Sequence, residues 1–418
     1  MRADEALDYL AKRADEAEIY LSSSRGHTLE LWRGEMDLFK ESSSSGYGVR
    51  VIKDKHMGFA YSNSLSEEVL NSALKVAKAS ERDPHVALPH QERYKELGVF
   101  DEDIADLDLE QAPEFVDALV APCAGRGVIA SYGSISWSSS EVEIWNTHGL
   151  YGADQGTWCS AVLSAVADDD QPASALYYDS SRKLDLDFAE IGRKAAELAR
   201  SSLKAMEIGE LQTDITLKPP AVADLVENVL IPSFSADNVQ RGRSQLAGKI
   251  DEQLFSRFNI VDDGTLKNGL ATSKFDGEGI SSQKTELVRD GVLKGYLYDT
   301  YTAGKDGKES TGNAERDSYA SLPYIDATNL VLSGRGKPSE KGLVVHGLIG
   351  AHTSNPVSGD FSVETRNAFL NGEAVQKAII SGNIFQLFKN IGGFGKDYRQ
   401  VSSAYTPSIE FLDISVVG

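Results

Sequence analysis

The first eighty residues alternate between the spacing of an amphipathic helix and the strict apolar–polar alternation of strands. Apolar residues share one face of a helix predicted over Ala3–Lys12. Helical spacing returns over Leu65–Ala79, where Ser66 is a suitable N-terminal cap and two glutamates follow it. Between these helices the alternation predicts strands at Glu18–Ser23, Thr28–Arg33, Glu35–Lys40, Gly46–Lys53 and Met57–Tyr61.

The same order of elements recurs between residues 105 and 204. Helices are predicted over Leu109–Ala121 and Asp187–Leu203, because apolar residues repeat there with helical spacing. The alternation between them predicts strands at Gly127–Ser138, Glu141–Trp145, Thr157–Val166 and Ala173–Tyr178. We therefore predict a structural duplication in which units 1–82 and 105–204 share one sheet. The connection Pro84–Asp108 contains prolines and acidic residues and shows little periodicity.

From residue 206 onward the pattern is mostly that of strands. Two prolines open a helix predicted over Ala221–Ile231, and Pro232 ends or kinks it. The pair Asp290-Gly291 predicts a hairpin turn, and apolar residues grouped on one side predict a late helix over Gly382–Ile391. Further strands are predicted at Asp214–Leu217, Gly291–Leu297, Leu330–Leu332, Gly342–Ile349 and Ile409–Val417.

These patterns predict an α+β fold. An N-terminal domain, residues 1–205, is expected to pack helices on a large antiparallel or mixed sheet. A C-terminal domain, residues 206–418, is expected to be β-rich with a few helices. The 418 residues are enough for two or three domains, and the contents of 41% apolar and 25% charged residues are typical of a folded chain.

The charge balance narrows the choice of partners. The formal net charge of −21 repels phosphate backbones and anionic lipids, so neither nucleic acid nor a membrane is expected as a partner. No run of eighteen apolar residues and no apolar leader is present, which indicates a cytoplasmic protein. Cys123 and Cys159 lie far apart in ordinary sequence, and we expect both to be buried free thiols.

The segment Ala351–Glu364, AHTSNPVSGDFSVE, is a polar stretch between two apolar runs. In a β-rich region such a loop must satisfy its backbone groups. One interpretation is a tight connection in which Pro356 and Gly359 set the turn geometry. The other is a loop that surrounds a bound chain or ligand, with its polar side chains as contacts. Those side chains are His352, Ser354, Asn355, Ser358 and Asp360.

The same segment resembles a signature of the TldD/PmbA family, in which an SNPVSGDFS stretch precedes a strand and an Asn-Gly pair. Here that pair is Asn371-Gly372. Further matching blocks come earlier in the chain, at Phe275–Gly279 (FDGEG), Val288–Leu293 (VRDGVL) and Thr311–Asn313 (TGN). Their order and spacing make the resemblance specific over most of the C-terminal half. The family contains a catalytic zinc-protease subunit, TldD, and its partner TldE, also called PmbA.

The metal ligands distinguish the two branches of that family. The catalytic branch carries a His-Glu-x-x-x-His helix and a later cysteine, which supply zinc ligands and a general base. Carried over by spacing, these positions fall on Glu227, Asn228, Pro232 and Phe394, and none keeps the required residue type. The chain thus resembles the PmbA/TldE-like branch.

That resemblance implies a non-catalytic subunit with no cofactor of its own. Zinc is expected in a TldD-type partner, with which this chain would form a heterodimer acting on unfolded or flexible peptides. Strand addition at an exposed sheet edge is one physical route for capturing such peptides. His352, Ser354, Asn355 and Asp360 are the candidate peptide contacts in this chain.

Two other functions stay open at this point. The chain could be a peptide-binding or scaffold homodimer with no protease role. A metal enzyme with a rearranged site would need ligands from His346, His352 and Asp360, which have no established ligand spacing. The acidic pair Asp276 and Glu278 could bind a cation, but a tight turn with a solvated acidic tip is the favoured interpretation.

Overall fold

The computed structural model describes residues 1–124, 127–339 and 341–418 and confirms the α+β class. A six-stranded antiparallel sheet forms the N-terminal part. Its strands are β1 (Glu16–Trp32), β2 (Glu35–Lys53), β3 (His56–Ser62), β4 (Val128–Asn146), β5 (Tyr151–Ala167) and β6 (Ala173–Ser181). Their order is β3-β2-β1-β4-β5-β6, so two three-stranded meanders extend outward from a central β1–β4 pair. This is the arrangement expected of a duplicated unit, whereas the division of domains at residue 205 stays a prediction.

The N-terminal strands are longer and fewer than predicted. Glu18–Ser23 and Thr28–Arg33 belong to one strand, β1, and the next two predicted segments both lie in β2. The serines between the predicted segments continue the strands on the exposed face, because pairing on both sides of β1 satisfies its backbone. The chain reverses at Arg33 and Gly34, both of which have positive φ.

Helices cover one face of this sheet. They are α1 (Ala3–Ala11), α2 (Glu67–Ala79), α3 (Glu102–Ala105), α4 (Ala112–Val120) and α5 (Phe188–Ser201). Alternate residues of β1 point to opposite faces. Ala17 and Ile19 therefore share a core with α1 and α2, and Leu29 and Leu31 share one with α4 and α5. The intervening residues Glu18 and Tyr20 point to the C-terminal domain instead.

The C-terminal domain is β-rich, as predicted. Its helices are α6 (Pro219–Leu225), α7 (Ala236–Gln240), α8 (Thr300–Asp306) and α9 (Ile384–Leu387). Its strands are β7 (Leu211–Leu217), β8 (Phe258–Asp263), β9 (Lys284–Arg289), β10 (Val292–Leu293), β11 (Ala314–Glu315), β12 (Tyr324–Ile325), β13 (Leu330–Gly334), β14 (Leu343–Ile349), β15 (Asp360–Leu370), β16 (Glu373–Val375), β17 (Ile379–Asn383), β18 (Ile391–Phe394), β19 (Arg399–Val401), β20 (Ala404–Thr406) and β21 (Ile409–Val417).

Two sheets organise these strands. One runs β14-β7-β21-β17-β15, and pairing of β15 with β14 closes it into a barrel-like sheet. The other runs β10-β9-β8-β13-β20-β19. One continuous apolar core lies between them and α6. Throughout the part of the chain that the structure describes, no helix is both long and apolar enough to span a bilayer.

The predicted helix over Gly382–Ile391 is wrong for most of its length. Only Ile384–Leu387 is helical, while Gly382 lies within β17 and Ile391 begins β18. The apolar residues of this stretch enter the core from two strands and one helical turn, and a short apolar run cannot separate these cases. The predicted turn is confirmed, since Asp290 and Gly291 have φ of 48° and 82° between β9 and β10.

The acidic pair is not a solvated turn tip, and that interpretation is wrong. Glu278 is 2% exposed and Asp276 is 8% exposed. Arg50 Nη1 donates to Glu278 Oε1 at 2.9 Å, and Arg50 Nη2 donates to Glu18 Oε2 at 2.6 Å. Arg316 Nη2 donates to Glu18 Oε1 at 2.5 Å. These buried residues of β1, β2 and the C-terminal domain form an ion cluster: Glu18, Arg50, Glu278 and Arg316.

The ion cluster keeps its charges because each has a partner of opposite sign. Burial disfavours the charged Arg50 side chain, but Glu18 and Glu278 outweigh this and raise its pKa. Burial likewise opposes ionisation of Glu278, yet the adjacent Arg50 holds its pKa below the usual value. Among the described residues Asp276 has no ion-pair partner, and burial together with the neighbouring Glu278 carboxylate raises its pKa. The cluster therefore joins the N-terminal sheet to the C-terminal domain through buried charge pairs.

Replacing Arg50 by Met should destabilise the protein by about 3–5 kcal/mol, because Glu278 is then buried without its cation. Urea unfolding followed by circular dichroism measures this. The matched control is Arg25→Met in the same sheet, where the exposed Arg25–Glu41 pair should contribute less than about 1 kcal/mol. Equal unfolding midpoints for Arg50→Met and the wild-type protein would contradict the role given to the cluster.

Candidate functional site

A cleft of about 700 Å³ lies where the N-terminal sheet meets the C-terminal domain. The N-terminal wall comes from β6 and α5, and the opposite wall comes from α6, β14 and β15. The cleft is defined by its charged and aromatic lining, which includes residues from six separate parts of the chain. These are Tyr177, Tyr178, Asp179, Lys194, Lys218, Asp224, His346, Arg366, Asp397, Tyr398 and Arg399.

Three cations of the cleft are held in place by protein groups. Lys194 Nζ lies 3.5 Å from Glu190 Oε1 and donates to Tyr177 Oη at 3.2 Å. Lys218 Nζ lies 3.6 Å from a carboxylate oxygen of Asp397. These pairs fix the geometry of the walls and neutralise part of the positive charge.

Arg399 is the most constrained of the three. Its Nη2 donates to the carbonyl oxygen of Tyr178, and its Nε lies 3.7 Å from Asp179 Oδ1. The guanidinium also stacks over the rings of Tyr177 and Tyr178, 4.5 and 5.0 Å from their centroids. The Arg399 side chain thus connects β19 to β6, the edge strand of the N-terminal sheet.

His346 lies on the C-terminal wall in an apolar setting. Its ring packs edge-on against Phe369 at 5.5 Å between centroids. Burial, and to a smaller extent the nearby Lys218, lowers the pKa of His346 to about 4, against a smaller opposing contribution from Asp397. The imidazole is therefore neutral at physiological pH and contributes no charge to the cleft.

Helix α6 ends beside the cleft in a π-helical turn over Val226–Leu230, followed by a 3₁₀ turn over Ile231–Phe234. The i→i+5 hydrogen bonding of a π turn brings residues five apart to the same side. Glu227 and Pro232 have this spacing. In the structure Glu227 lies in the π turn, and Pro232 lies in the 3₁₀ turn that follows it.

The side chains at these positions are used for other contacts. Glu227 Oε1 accepts from Ser403 N at 2.8 Å, Ser403 Oγ at 2.7 Å and Ala404 N at 3.1 Å, and burial raises its pKa. Asn228 Nδ2 donates to the carbonyl oxygen of Asp224 at 2.8 Å. Glu227 therefore anchors the loop that precedes β20.

The remaining two positions offer no donor atom. Pro232 belongs to the 3₁₀ turn, and Phe394 is buried against Phe258 at 6.4 Å between ring centroids. Zinc requires several nitrogen, sulfur or carboxylate donors converging on one point. The four residues Glu227, Asn228, Pro232 and Phe394 do not fit this ion, and no other group of three metal-ligating side chains converges within the described ranges.

The loop predicted to contact a ligand is internally bonded. Asn355 Oδ1 accepts from Val357 N at 3.0 Å and Ser358 N at 3.2 Å, and Asp360 Oδ2 accepts from Ser358 Oγ at 2.8 Å. Asn383 Nδ2 donates to Asp360 Oδ1 at 2.8 Å. This is the geometry of a tight connection, the first of the two interpretations of the segment.

In the described part of the chain, the four predicted contacts are not among the residues that line the cleft. His352 is exposed, and Ser354 Oγ is buried with no described hydrogen-bonding partner. The loop does reach the segment predicted for the metal motif, since Ser233 Oγ donates to Pro356 O at 3.4 Å. The part of His352, Ser354, Asn355 and Asp360 in peptide binding stays a prediction. His346, which the rearranged metal site would need, faces the cleft, while Asp360 bonds to Ser358 and Asn383.

Sequence reasoning did not find the residues that define the cleft. Tyr177, Lys194, Arg366 and Arg399 come from four elements spread over more than half the chain, with no motif around any of them. Lysines and arginines are common on amphipathic helices and strands, so no sequence pattern distinguishes those that line a cleft from those on the open surface. Only the docking of the two parts brings them together.

Comparison with known proteins places this architecture in a family. The PmbA/TldA metallopeptidase models match in three parts: domain 1 at residues 17–81, the central domain at 102–203 and the C-terminal domain at 210–418. The chain belongs to the PmbA/TldD metallopeptidase family.

Relatives match nearly the whole chain. An uncharacterized protein of Methanocaldococcus jannaschii is 37% identical over 409 residues, covering 96% of each chain. Metalloprotease PmbA of Escherichia coli O157:H7 is 25% identical, covering 99% of this chain and 94% of its own length. The crystal structure of TldE from Thermococcus kodakarensis has a TM-score of 0.93 at 25% identity and covers 99% of both chains.

The buried His346 predicts a pH dependence of stability. Its pKa is depressed in the folded state, so the unfolded chain binds more protons between pH 6.5 and about 4, and stability falls as pH drops through this window. Between pH 7 and pH 5, the free energy of unfolding of the His346→Asn variant should fall by on the order of 1–2 kcal/mol less than that of the wild-type protein. Urea midpoints at both pH values measure this. His352→Asn, on an exposed loop, is the control and should follow the wild-type protein.

Proposed function

We propose that this chain is a PmbA/TldE-like, non-catalytic subunit of a two-component metallopeptidase. It would pair with a TldD-type subunit that supplies the zinc ion, and the complex would act on unfolded or flexible peptides in the cytoplasm. Membership of the PmbA/TldD metallopeptidase family supports the reaction class. The likeness to a TldE structure over the full length supports the choice of branch.

One observation carries the proposal. At the end of α6, the positions that correspond to the metal motif carry Glu227, Asn228 and Pro232. Glu227 is committed to the loop before β20 through three hydrogen bonds. Phe394 fills the position of the late cysteine with a buried aromatic ring. A segment built this way supports the structure rather than the hydrolysis of a peptide bond.

This chain's share of the work would be to form part of the substrate chamber. An extended peptide presents backbone amides, a few side chains and two charged ends. The cleft provides aromatic surface, fixed hydrogen-bonding groups and cations beside the α6 segment. We also retain His352, Ser354, Asn355 and Asp360 as candidate contacts on the neighbouring loop.

The purified chain alone should contain substoichiometric zinc and show no peptide hydrolysis above background. Adding a TldD-type subunit encoded in the same genome should give a stable heterodimer with zinc and activity. Elemental analysis, light scattering and cleavage of a fluorogenic unstructured peptide measure these outcomes.

Two variants test where the chemistry resides. Replacing the motif glutamate of the TldD-type subunit by glutamine should abolish hydrolysis, because water then lacks its general base. The matched change here, Asn228→Ala, should leave the rate within about twofold, since within the described ranges this exposed side chain bonds to the Asp224 carbonyl and to no other group. Stoichiometric zinc with robust activity in the chain alone would overturn the proposal. A stable homodimer that captures no TldD-type subunit would favour the peptide-binding scaffold instead.

A further inference from the structure

One cation of the cleft, Arg366, has no ion-pair partner among the described residues. Lys194, Lys218 and Arg399 each have a carboxylate oxygen between 3.5 and 3.7 Å away. No ion pair or side-chain hydrogen bond joins the Arg366 guanidinium to any group in residues 1–124, 127–339 or 341–418. A guanidinium in a concave site whose hydrogen-bond donors are not taken by a protein carboxylate is suited to bind an anion from outside.

The position of Arg366 on β15 leaves room for such an anion. Its pairing partner across the strands is Gly347 of β14. A methyl group at Gly347 would lie 3.8 Å from Arg366 Cβ, so the absence of a side chain there opens the wall beside the arginine stem. Arg366 is exposed, and its charge lowers the pKa of the nearby Asp224 against the effect of burial. The guanidinium thus acts on the interior of the cleft.

The charge of the cleft lining differs from the charge of the whole chain. The whole chain carries a net charge of −21. The cleft lining instead has four cations against three aspartates: Asp179, Asp224 and Asp397. Lys194, Lys218 and Arg399 each have an ion-pair partner, which leaves Arg366 as the lining cation without one in the described chain. The net negative charge of the protein repels anions at long range, so an anionic group is attracted only close to these cations.

The cleft is also large enough for more than an isolated anion. A second cavity of about 390 Å³ adjoins it and shares Tyr177, Lys194, Leu198 and His346 with it. The combined groove runs between α5 and the β14–β15 pair. Its walls include Leu176, Leu348 and tyrosine rings, which suit apolar side chains of an extended peptide.

We propose that the cleft binds a peptide carboxylate, with Arg366 as the residue that recognises it by a bidentate guanidinium–carboxylate pair. The preceding residues of the peptide would lie along the groove over Tyr177 and Leu198. This inference rests on the proposed function, and it adds a preference for peptides that end in a free carboxylate or carry an acidic side chain.

Fluorescence anisotropy of the purified full chain with a labelled decapeptide tests the inference. The probe is an unstructured sequence of Ser, Gly, Thr and Ala that ends in Leu with a free C-terminus. The same peptide with a C-terminal amide should bind about tenfold more weakly, because it lacks the charged acceptor. An amidated peptide with one internal Glu distinguishes a side-chain carboxylate from the chain terminus as the source of recognition.

Variants assign the effect to Arg366. Arg366→Gln should remove the preference of the protein for the free-acid peptide over the amide. Arg366→Lys should keep part of this preference, because the lysine ammonium still attracts a carboxylate as a point charge. The matched control is Arg289→Gln, an exposed arginine on β9 remote from the cleft lining, which should keep the wild-type preference. Gly347→Val adds no charge but narrows the wall beside Arg366, and it should weaken binding of the free acid.

The outcomes separate this inference from the proposed function. Equal affinities for acid and amide peptides, no binding of either, or a preference that survives Arg366→Gln would each overturn it. None of these results alters the zinc content of the chain alone or its capture of a TldD-type subunit. Conversely, a carboxylate preference lost in Arg366→Gln would stand even if the chain proved to be a homodimeric scaffold.

Discussion

Arg50 lies between Glu18 of the N-terminal sheet and Glu278 of the C-terminal domain and is only 5% exposed. The position of each carboxylate is set by a different part of the chain, so the pairing is possible only when the two parts are docked. An unpaired charge at this depth is costly. The ion cluster therefore ties the relative placement of the two parts to charge neutrality, and the cleft exists because that placement is fixed.

The cleft shows what docking adds to the chemistry of the separate parts. Arg399 leaves β19 to donate to the edge of β6 and to stack on its tyrosines. Lys194 and Arg366 face the same space from α5 and β15. None of these residues makes a binding site within its own element. Together they enclose a groove with aromatic walls and one cation that has no ion-pair partner in the described chain.

At the end of α6 the backbone is irregular, but the side chains there do not have the chemistry of metal ligands. Glu227 lies in the π turn and anchors the loop before β20, whereas Pro232 belongs to the following 3₁₀ turn. A π turn is rare and less favourable than a regular helical turn. Its presence here is consistent with a scaffold shared across the PmbA/TldD family, on which the side chains decide whether a metal can bind.

The local pattern of residues was enough to determine the α+β class, the helices α2 and α5, the Asp290-Gly291 turn and the family resemblance. These depend on periodicity, turn residues and ordered motifs, which short stretches of sequence contain. Tertiary structure alone decided that Asp276 and Glu278 are buried, that Gly382–Ile391 is mostly not helical, and that Arg366 and Arg399 share a cleft. Burial and charge pairing depend on residues hundreds of positions apart, and no local pattern records which of them will meet.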